Sequence, residues 1–368
     1  MERTMGRALT PARAVPPGEI LAEELEARGW TQKDLAAIMG RPSQVINEII
    51  SGTKSVTPQT AVELAAAFGT SADLWLNLEA NYQLHLAQQQ KNGAAIARKS
   101  RLYSLAPVAE MIKRGWITAG DSVDDLERNV CDFLGIPSPD ETPLLAVAFR
   151  QNLARGPEYC AQVAWIKRAE NLAKTQHIAA FVPGALRSGL PALLSLARRP
   201  EDVAQVPDAL LALGVHFVIV PHLPKTYIDG AAWHMDGRPI VAVTLRYDRI
   251  DWFWFTLMHE LAHIVAGHPR TYLDNLKEDS TDGQEDEANR MAQDWLVDAQ
   301  AFAAFVTAAS PFFSRAKIEE FAASQGRHPG LIVGRLHHDK LTDFRHLNAL
   351  LVKVKPFLID RVDASGMA

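Results

Sequence analysis

Two histidines and a glutamate in the second half of the chain have the spacing of a metal site. They are His259, Glu260 and His263, in the order His-Glu-Leu-Ala-His. Residues four apart share one face of a helix, so both imidazoles can bind one Zn²⁺ ion while Glu260 points at the remaining coordination position. Zinc there would activate a water and polarise a carbonyl, with Glu260 as general base, so the spacing predicts peptide hydrolysis. The alternative interpretation is a pair of core histidines.

A catalytic zinc site needs a third protein ligand and leaves the fourth position to water. The segment that follows an acidic loop offers Glu285, Asp286 and Glu287. At about 100° per residue, Glu285 falls on the apolar stripe of Ala288 and Ala292, whereas Glu287 falls on the polar face. We therefore predict Glu285 as the third ligand, with Asp286, which lies between the two faces, in reserve.

The longer pattern HExxHxxGxxH is excluded, because Ala266 stands at its glycine position and Pro269 at its third histidine. His268 is out of register with that pattern. It is predicted either to support a ligand or the substrate, or to be an exposed histidine favoured by the helix dipole. Stabilising an oxyanion requires a further donor. The sequence does not rank the four candidates for oxyanion or substrate contacts: His268, His234, Tyr247 and Arg246.

The elements that must position these residues are indicated by apolar periodicity. A long apolar helix is predicted from about Asp251 to Ala266, and a second helix from about Gln284 to Phe302. Upstream, the runs Val215–Val220 and Pro239–Leu245 predict two neighbouring strands. A turn-forming segment is predicted between these strands, marked by Asp229, Gly230, Asp236 and Gly237.

Two segments resemble the ImmA/IrrE family of zinc metallopeptidases: RYDRIDWFWFTLMHELAHIVAGH, residues 246–268, and EDEANRMAQDWL, residues 285–296. That family joins an HExxH helix to a Glu-x-x-Ala-Asn helix, and the resemblance spans roughly residues 206–339. It implies a zincin-like fold in which His259, His263 and Glu285 bind zinc and Glu260 is the general base. Many members have glycine where this chain has Ala262, a change that a helix should tolerate.

A helix-turn-helix is predicted near the other end of the chain, between Thr31 and Ile50. It lies in a domain of five helices, separated by glycines and predicted at residues 19–28, 31–39, 42–50, 58–68 and 71–86. The exposed positions of the second helix of the motif, Ser43, Gln44 and Asn47, are predicted to reach base edges together with Arg41. Phosphate contacts are predicted for Thr31, Gln32, Lys33 and Lys54. The alternative is a plain helical bundle, since residues 1–90 hold seven Lys or Arg against ten Asp or Glu.

The run from Pro16 to Leu84 resembles the HigA-type antitoxin branch of the Xre-like regulators. The shared features are PGEIL, the turn ISGTKSVTPQTA and the ending FGTSADLWLNL. The resemblance implies a lambda-repressor-like fold and a homodimeric repressor that binds operator DNA through Arg41, Gln44 and Asn47. A two-fold dimer of this kind would read half-sites about 34 Å apart.

Composition and charge indicate the general class of protein and its cellular location. The chain has 368 residues, 48% of them hydrophobic and 22% charged, which is typical of a folded protein of two or three domains. It has a formal net charge of −5, so any contact with nucleic acid must be local. A signal core and a membrane span are not expected, which predicts a cytoplasmic protein. The two cysteines, Cys131 and Cys160, are predicted to have no functional role.

The sequence thus predicts a mostly helical α+β protein. Its predicted parts are a flexible arm (1–15), the helix-turn-helix domain (16–90), a linker and helical middle region (91–205), a metallopeptidase core with a small sheet (206–300), and a helical extension (301–368). The leading hypothesis is a transcriptional regulator whose zinc peptidase cuts a repressor or a toxin, as in stress-response or toxin-antitoxin systems. One alternative is an antitoxin-like repressor whose zincin-fold domain senses a ligand or partner without turnover. Another is a metallopeptidase whose N-terminus only binds a protein.

Overall fold

The computed structural model describes residues 14–89, 92–141, 143, 157–224, 226–268, 273–274 and 283–363. The predicted flexible arm, apart from residues 14 and 15, and most of the acidic loop after the HExxH helix lie outside these ranges. Two compact units divide the chain between Ala97 and Arg98. None of the described helices is both long enough and apolar enough to cross a membrane.

The N-terminal unit contains five helices, which agree with the predicted ones to within a few residues. They are α1 (Pro17–Arg28), α2 (Gln32–Met39), α3 (Ser43–Ile50), α4 (Pro58–Phe68) and α5 (Ala72–Gln89). A capping box begins α2: Asp34 N donates to Thr31 Oγ1 over 3.2 Å, and Thr31 N donates to Asp34 Oδ2 over 2.7 Å. Left-handed glycines, such as Gly29 (φ 65°) and Gly40 (φ 63°), end α1 and α2 and allow the sharp turns between helices.

Fully buried apolar side chains from each of these five helices form the core of the N-terminal unit. Leu21, Leu35, Ile46 and Leu64 are all 0% exposed, as is Trp75 of α5. Because α3 buries Ile46 and Ile49, its opposite face is left to solvent. The packing therefore fixes which side chains of α3 can reach a partner.

The C-terminal unit contains the remaining helices and one sheet. Helix α6 (Asn92–Leu105) spans the division between Ala97 and Arg98. The helices that lie wholly in the C-terminal unit are α7 (Val108–Lys113), α8 (Val123–Leu134), α9 (Pro157–Ala173), α10 (Pro183–Ser195), α11 (Val206–Ala212), α12 (Ile250–Ala266), α13 (Gly283–Leu296), α14 (Ala299–Ala309), α15 (Arg315–Ser324), α16 (Pro329–His338) and α17 (Lys355–Leu358). Its strands are β1 (His216–Ile219), β2 (Gly230–Met235), β3 (Arg238–Val243) and β4 (Leu273–Asp274). Short 3-10 turns occur at residues 196–198, 200–205, 348–350 and 359–361.

The sheet has the order β1-β3-β2-β4. The two predicted strands, β1 and β3, are parallel neighbours, with Phe217 opposite Val241. The segment predicted as turn-forming was misassigned in part, because residues 230–235 within it form β2, which pairs antiparallel with β3. Only Asp236 and Gly237 form the turn, and both have positive φ, 51° and 77°, as a two-residue type I′ hairpin requires.

Side chains alternate between the two faces of this sheet, and each face is covered by helices. Phe217, Val241 and Val243 belong to a core that includes α12 and α16. Val218 and Ala242 belong to a second core, which includes residues of α7, α8 and α9. Helices α7, α8 and α9 of the middle region therefore pack on one face of the sheet, whereas α10 and helices from the C-terminal extension belong to the core on the other face.

The second helix of the predicted metal site is shorter than expected. Instead of running from Gln284 to Phe302, α13 ends at Leu296 and α14 begins at Ala299. Asp298 caps α14, since its carboxylate accepts a hydrogen bond from Ala301 N over 2.8 Å. An aspartate that bonds its local backbone in this way favours a new helix start over a continuous helix.

Candidate metal centre and nucleic-acid interface

Helix α12 carries the HExxH residues through the middle of the C-terminal unit. It lies between the sheet on one side and α13 and α16 on the other, so that nearly every residue from Ile250 to Ile264 is buried. It ends at Gly267, whose φ of 71° allows the chain to reverse. The apolar run around the two histidines therefore reflects a helix that is covered on all sides.

The predicted ligands converge on one point. His259 Nε2 and His263 Nε2 lie 3.1 Å apart, His259 Nε2 lies 3.2 Å from Glu285 Oε2, and His263 Nε2 lies 3.5 Å from Glu285 Oε1. All three side chains are buried. Atoms bound to one tetrahedral ion at 2.0–2.1 Å would be about 3.4 Å apart. The three residues can therefore hold a metal ion.

The charge on Glu285 suits a ligand. Burial works to raise the pKa of this carboxyl, but hydrogen bonds with His259 and His263, together with the charge of the imidazoles, lower it to about 2. The carboxyl is therefore ionised at neutral pH. Glu287 lies on the outer face of α13 with half of its side chain exposed, and Asp286 is exposed as well. Helical phase thus separates Glu285 from its two acidic neighbours.

Glu260, the predicted base, is 1% exposed and faces the first residue of β2. A Cβ placed on Gly230 would lie 2.6 Å from Glu260 Oε1 and 2.6 Å from Thr256 Cγ2. The sheet backbone therefore forms a close wall beside the Glu260 carboxylate, and only glycine leaves room for it. Sequence reasoning missed Gly230 as a site residue, because a glycine beside an aspartate is also a common turn signal.

His268 lies against a predicted metal ligand. Its Nδ1 is 2.8 Å from Nδ1 of His263, its Nε2 is 3.4 Å from Glu287 Oε2, and its side chain is only 7% exposed. His268 is therefore not an exposed helix-end histidine, and its supporting role toward the ligand or the substrate stays a prediction. Glu287, which sequence reasoning set aside, is the outer member of this chain of contacts.

The other three candidates for substrate contacts lie at different ends of the sheet. The Nε of Arg246 lies 3.7 Å from Oδ1 of Asp229, the residue before Gly230. Its Nη2 donates a 2.8 Å hydrogen bond to the Tyr247 hydroxyl. These two side chains are thus held near the end of β2 that faces Glu260. His234 is four residues further along β2, about 13 Å of strand, where its ring packs against Phe181.

In the N-terminal unit, the side chains predicted to read DNA lie on the open face of α3. Ser43, Gln44 and Asn47 are exposed, and in the preceding helix Lys33 is exposed and Gln32 is half-buried. Gln44 Nε2 donates to Glu48 Oε1 over 2.8 Å, and Lys54 Nζ lies 3.5 Å from Glu48 Oε2. Glu48, which the sequence did not single out, therefore ties together two predicted DNA contacts.

Arg41 has an acidic partner within the same unit. Its Nε and Nη2 donate to Glu63 over 2.6 and 2.8 Å, a two-pronged ion pair between the turn before α3 and α4. The hydrogen bonds with Arg41 lower the pKa of Glu63, which keeps the carboxylate charged. Contact of Arg41 with DNA would have to compete with this pair.

Two segments of the chain, one in each half, match known protein families. A helix-turn-helix family model matches residues 21–75, and a peptidase family model described as the IrrE N-terminal-like domain matches residues 222–311. The chain is 38% identical over 84 residues to virulence-associated protein I of Dichelobacter nodosus, covering 23% of this chain and 78% of that protein. It is 39% identical over 71 residues to antitoxin HigA-1 of Vibrio cholerae, covering 19% of this chain and 67% of that protein.

Among solved structures, an addiction module antidote protein of the HigA family from Coxiella burnetii is 36% identical, with 22% of this chain and 90% of that chain covered and a TM-score of 0.22. These relatives correspond to the N-terminal unit, whereas the peptidase family match falls in the C-terminal unit. The chain therefore belongs to the HigA-related helix-turn-helix proteins and joins that domain to an IrrE N-terminal-like domain of a peptidase family.

Proposed function

We propose that this protein is a DNA-binding transcriptional regulator whose C-terminal unit is a zinc-dependent endopeptidase that cuts a regulatory protein. The observation that carries the proposal is the convergence of His259, His263 and Glu285 within 3.1–3.5 Å of one another, beside the buried carboxylate of Glu260. Two imidazoles and a carboxylate, with one position left open, are the donor set of a catalytic zinc site.

The residues of the site have distinct roles in the proposed reaction. His259, His263 and Glu285 would hold Zn²⁺, which when bound acidifies a water and polarises a carbonyl. Glu260 accepts the proton of the attacking water and later returns it to the leaving amine. The wall formed by Gly230 and Thr256 limits where the Glu260 carboxylate can lie. Arg246 and Tyr247, near the same end of β2, are the proposed contacts to the substrate carbonyl.

In this proposal, the N-terminal unit recognises the sequence of the operator DNA. The open face of α3 presents Ser43, Gln44 and Asn47, of which Gln and Asn can bond adenine through two hydrogen bonds. Lys33 and Lys54, in the same unit, are the proposed phosphate contacts. We propose that a homodimer binds an operator and that the peptidase acts on a repressor or toxin of the same regulatory circuit.

Unbiased peptide cleavage tests the enzymatic half of the proposal. The zinc-loaded full chain is incubated with a proteome-derived peptide library, and new termini are identified by mass spectrometry. We expect wild type to generate a defined set of termini and Glu260→Gln to reduce them by about 10²-fold to 10⁴-fold while keeping its zinc. Equal cleavage by the two proteins would show that the activity does not belong to this site.

The alternative function, a sensing module without turnover, predicts another outcome. Wild type would then hold zinc and cut no peptide, and Glu260→Gln would leave repression of a reporter unchanged while His259→Ala disturbed it.

The DNA-binding part of the proposal is tested at α3. Gln44→Ala and Asn47→Ala should each weaken binding to the DNA upstream of this gene by about 1–3 kcal/mol. Unchanged affinity in both variants would exclude α3 as the reading helix.

A further inference from the structure

Thr256 carries a buried hydroxyl one helical turn before the proposed general base, Glu260. The residue is 2% exposed, and its Oγ1 is shielded from solvent and forms no hydrogen bond with the residues that the structure describes. Buried hydroxyls are normally paired, because burying one without a partner costs free energy. The unpaired hydroxyl therefore points to a partner that reaches it in another state of the molecule.

Neither packing nor the helix backbone accounts for this hydroxyl. Trp254 and Phe255 precede Thr256 and Leu257 and Met258 follow it, so the surrounding run is apolar and valine would be buried there at lower cost. In helices a threonine hydroxyl commonly bonds the carbonyl three or four residues earlier, but the Thr256 hydroxyl does not. Its presence is better explained by a contact with another side chain.

The side chain of Glu260 is the neighbour that the geometry indicates. Thr256 and Glu260 are four residues apart on α12, so they lie on one face of the helix. The Cβ position of Gly230 is 2.6 Å from Thr256 Cγ2 and 2.6 Å from Glu260 Oε1, so these two atoms are separated by at most twice that distance. Because Oγ1 shares its Cβ with Cγ2, a change in the torsion angles of Glu260 can bring its carboxylate to the hydroxyl.

A hydrogen bond from Thr256 would fix the orientation of the base. A carboxylate has two acceptor oxygens, so one can accept the hydroxyl proton while the other takes the proton of the attacking water. Gly230 already limits the Glu260 carboxylate on the side of the sheet. A donor on α12 would hold the same carboxylate from the side of the helix.

We propose that Thr256 is a positioning residue, whose hydroxyl donates a hydrogen bond to the Glu260 carboxylate in the zinc-loaded protein and so orients the general base. The proposal rests on the proposed peptidase function. The two branches of this side chain have separate roles, since Cγ2 packs against Gly230 and Oγ1 holds the carboxylate. Thr256→Val keeps the branched shape and removes the hydroxyl, whereas Thr256→Ser keeps the hydroxyl.

The kinetics of the two variants test the positioning role. They are measured with a peptide from the library that wild type cleaves. We expect Thr256→Val to lower kcat by about tenfold to 10²-fold with KM unchanged, because the hydroxyl orients the base and does not contact the substrate. Thr256→Ser should keep kcat within about fivefold of wild type, because it retains the donor. Equal losses of kcat in the two variants, or a change in KM alone, would overturn the proposal.

Binding of acetohydroxamate to the zinc-loaded full chain tests the same contact without turnover. Calorimetry gives its affinity for wild type, Thr256→Val, Glu260→Gln and the double variant. We expect Thr256→Val to weaken binding severalfold when Glu260 is present and to have no effect in the Glu260→Gln chain, where the carboxylate is missing. Equal effects in the two backgrounds would overturn the proposal. This coupling in a chain that cuts no peptide would support the contact and reject the peptidase function, and failure of wild type to bind acetohydroxamate would reject both.

Thermal melts of the metal-free chain show whether the hydroxyl instead serves the fold. Thr226 is the matched control, since it is 3% exposed and its hydroxyl donates to Leu223 O over 2.8 Å. Thr226→Val should melt at a lower temperature than wild type, because it leaves a buried carbonyl without this donor. Thr256→Val should melt at the wild-type temperature or above it. A decrease as large as that of Thr226→Val would show a structural hydrogen bond and overturn the proposal.

Discussion

Gly230 and Glu260 are in such close contact that no other residue fits at position 230 without displacing the carboxylate. A Cβ there would lie 2.6 Å from Glu260 Oε1 and 3.1 Å from Glu260 Cγ. On its other side it would meet Thr256 Cγ2, which belongs to a β-branched and fully buried side chain. The start of β2 therefore lies close around the proposed general base, Glu260, although the two positions are 30 residues apart in the chain.

Gly230→Ala should impair catalysis without removing the metal. The added methyl must push the Glu260 carboxylate aside, and misplacement of a reacting group by about 1 Å can cost 10²-fold in rate. We expect zinc content to stay at the wild-type value while peptide cleavage falls at least about tenfold. Gly184→Ala is the matched control, since that helical glycine has open space around it. Full activity in Gly230→Ala would show that the contact does not position the base.

The helices and the convergence of His259, His263 and Glu285 could be predicted from the sequence because their signals are local. The spacing of His259 and His263 is itself a helical geometry, and phase alone placed Glu285 on the buried face of α13. Strand β2 could not be predicted in this way. Its first residues, Gly-Ala-Ala, have no β-branched or aromatic side chain, and it becomes a strand because β3 offers a partner on one side and α12 covers one of its faces.

Contacts between residues far apart in the chain were beyond the reach of sequence reasoning. The pairing of Arg41 with Glu63 depends on how α3 and α4 pack, and neither residue type nor spacing indicates it. The contact of His268 with His263 is local, since only five residues separate them, but a periodicity argument places His268 at a helix end and does not indicate the contact. The reversal at Gly267 turns it back onto His263.

His268 should support the metal through His263. A ligand histidine that bonds through its second ring nitrogen is held in one tautomer and orientation, and loss of such a partner typically costs about 10-fold to 100-fold in metal affinity. We expect His268→Ala to weaken zinc binding by that factor, measured by competition with a chelating dye. Glu287→Gln, which changes only the outer contact of 3.4 Å, should have a smaller effect. An unchanged zinc affinity in His268→Ala would argue against this role.

Glu63 should restrain DNA binding by holding Arg41. Glu63→Gln removes the negative charge that the guanidinium now pairs with, and so releases a cation beside α3. We expect the affinity for operator DNA to rise. The plot of log K against log salt concentration should become steeper by the amount that one additional phosphate contact causes. Glu24→Gln is the matched control, because Glu24 pairs with Arg28 on α1. Equal gains in the two variants would indicate a general charge effect instead.

The C-terminal unit should lose stability as the pH falls below about 6.5, in part through His216. Burial, followed by the nearby positive charge of Arg238, lowers the pKa of His216, and its Nδ1 lies 3.2 Å from Gln176 Oε1. The folded chain therefore binds this proton less readily than the unfolded chain does. The stabilisation of the folded chain that comes from this difference is complete above the pKa of His216 in the unfolded chain. It declines as the pH falls towards the pKa of His216 in the folded chain, by at most about 1.4 kcal/mol per pH unit.

Thermal melts of the zinc-loaded chain between pH 7.5 and 5.5 measure this dependence, and variants at the two residues identify its source. His216→Gln cannot take up a proton, so its melting temperature should change less over this range than that of wild type. Gln176→Glu places a carboxylate beside the imidazole and favours its charged form, which should also flatten the dependence, although the variant loses the hydrogen bond from Gln176 Nε2 to Phe217 O. If all three proteins lose the same stability over this range, the dependence arises at other groups.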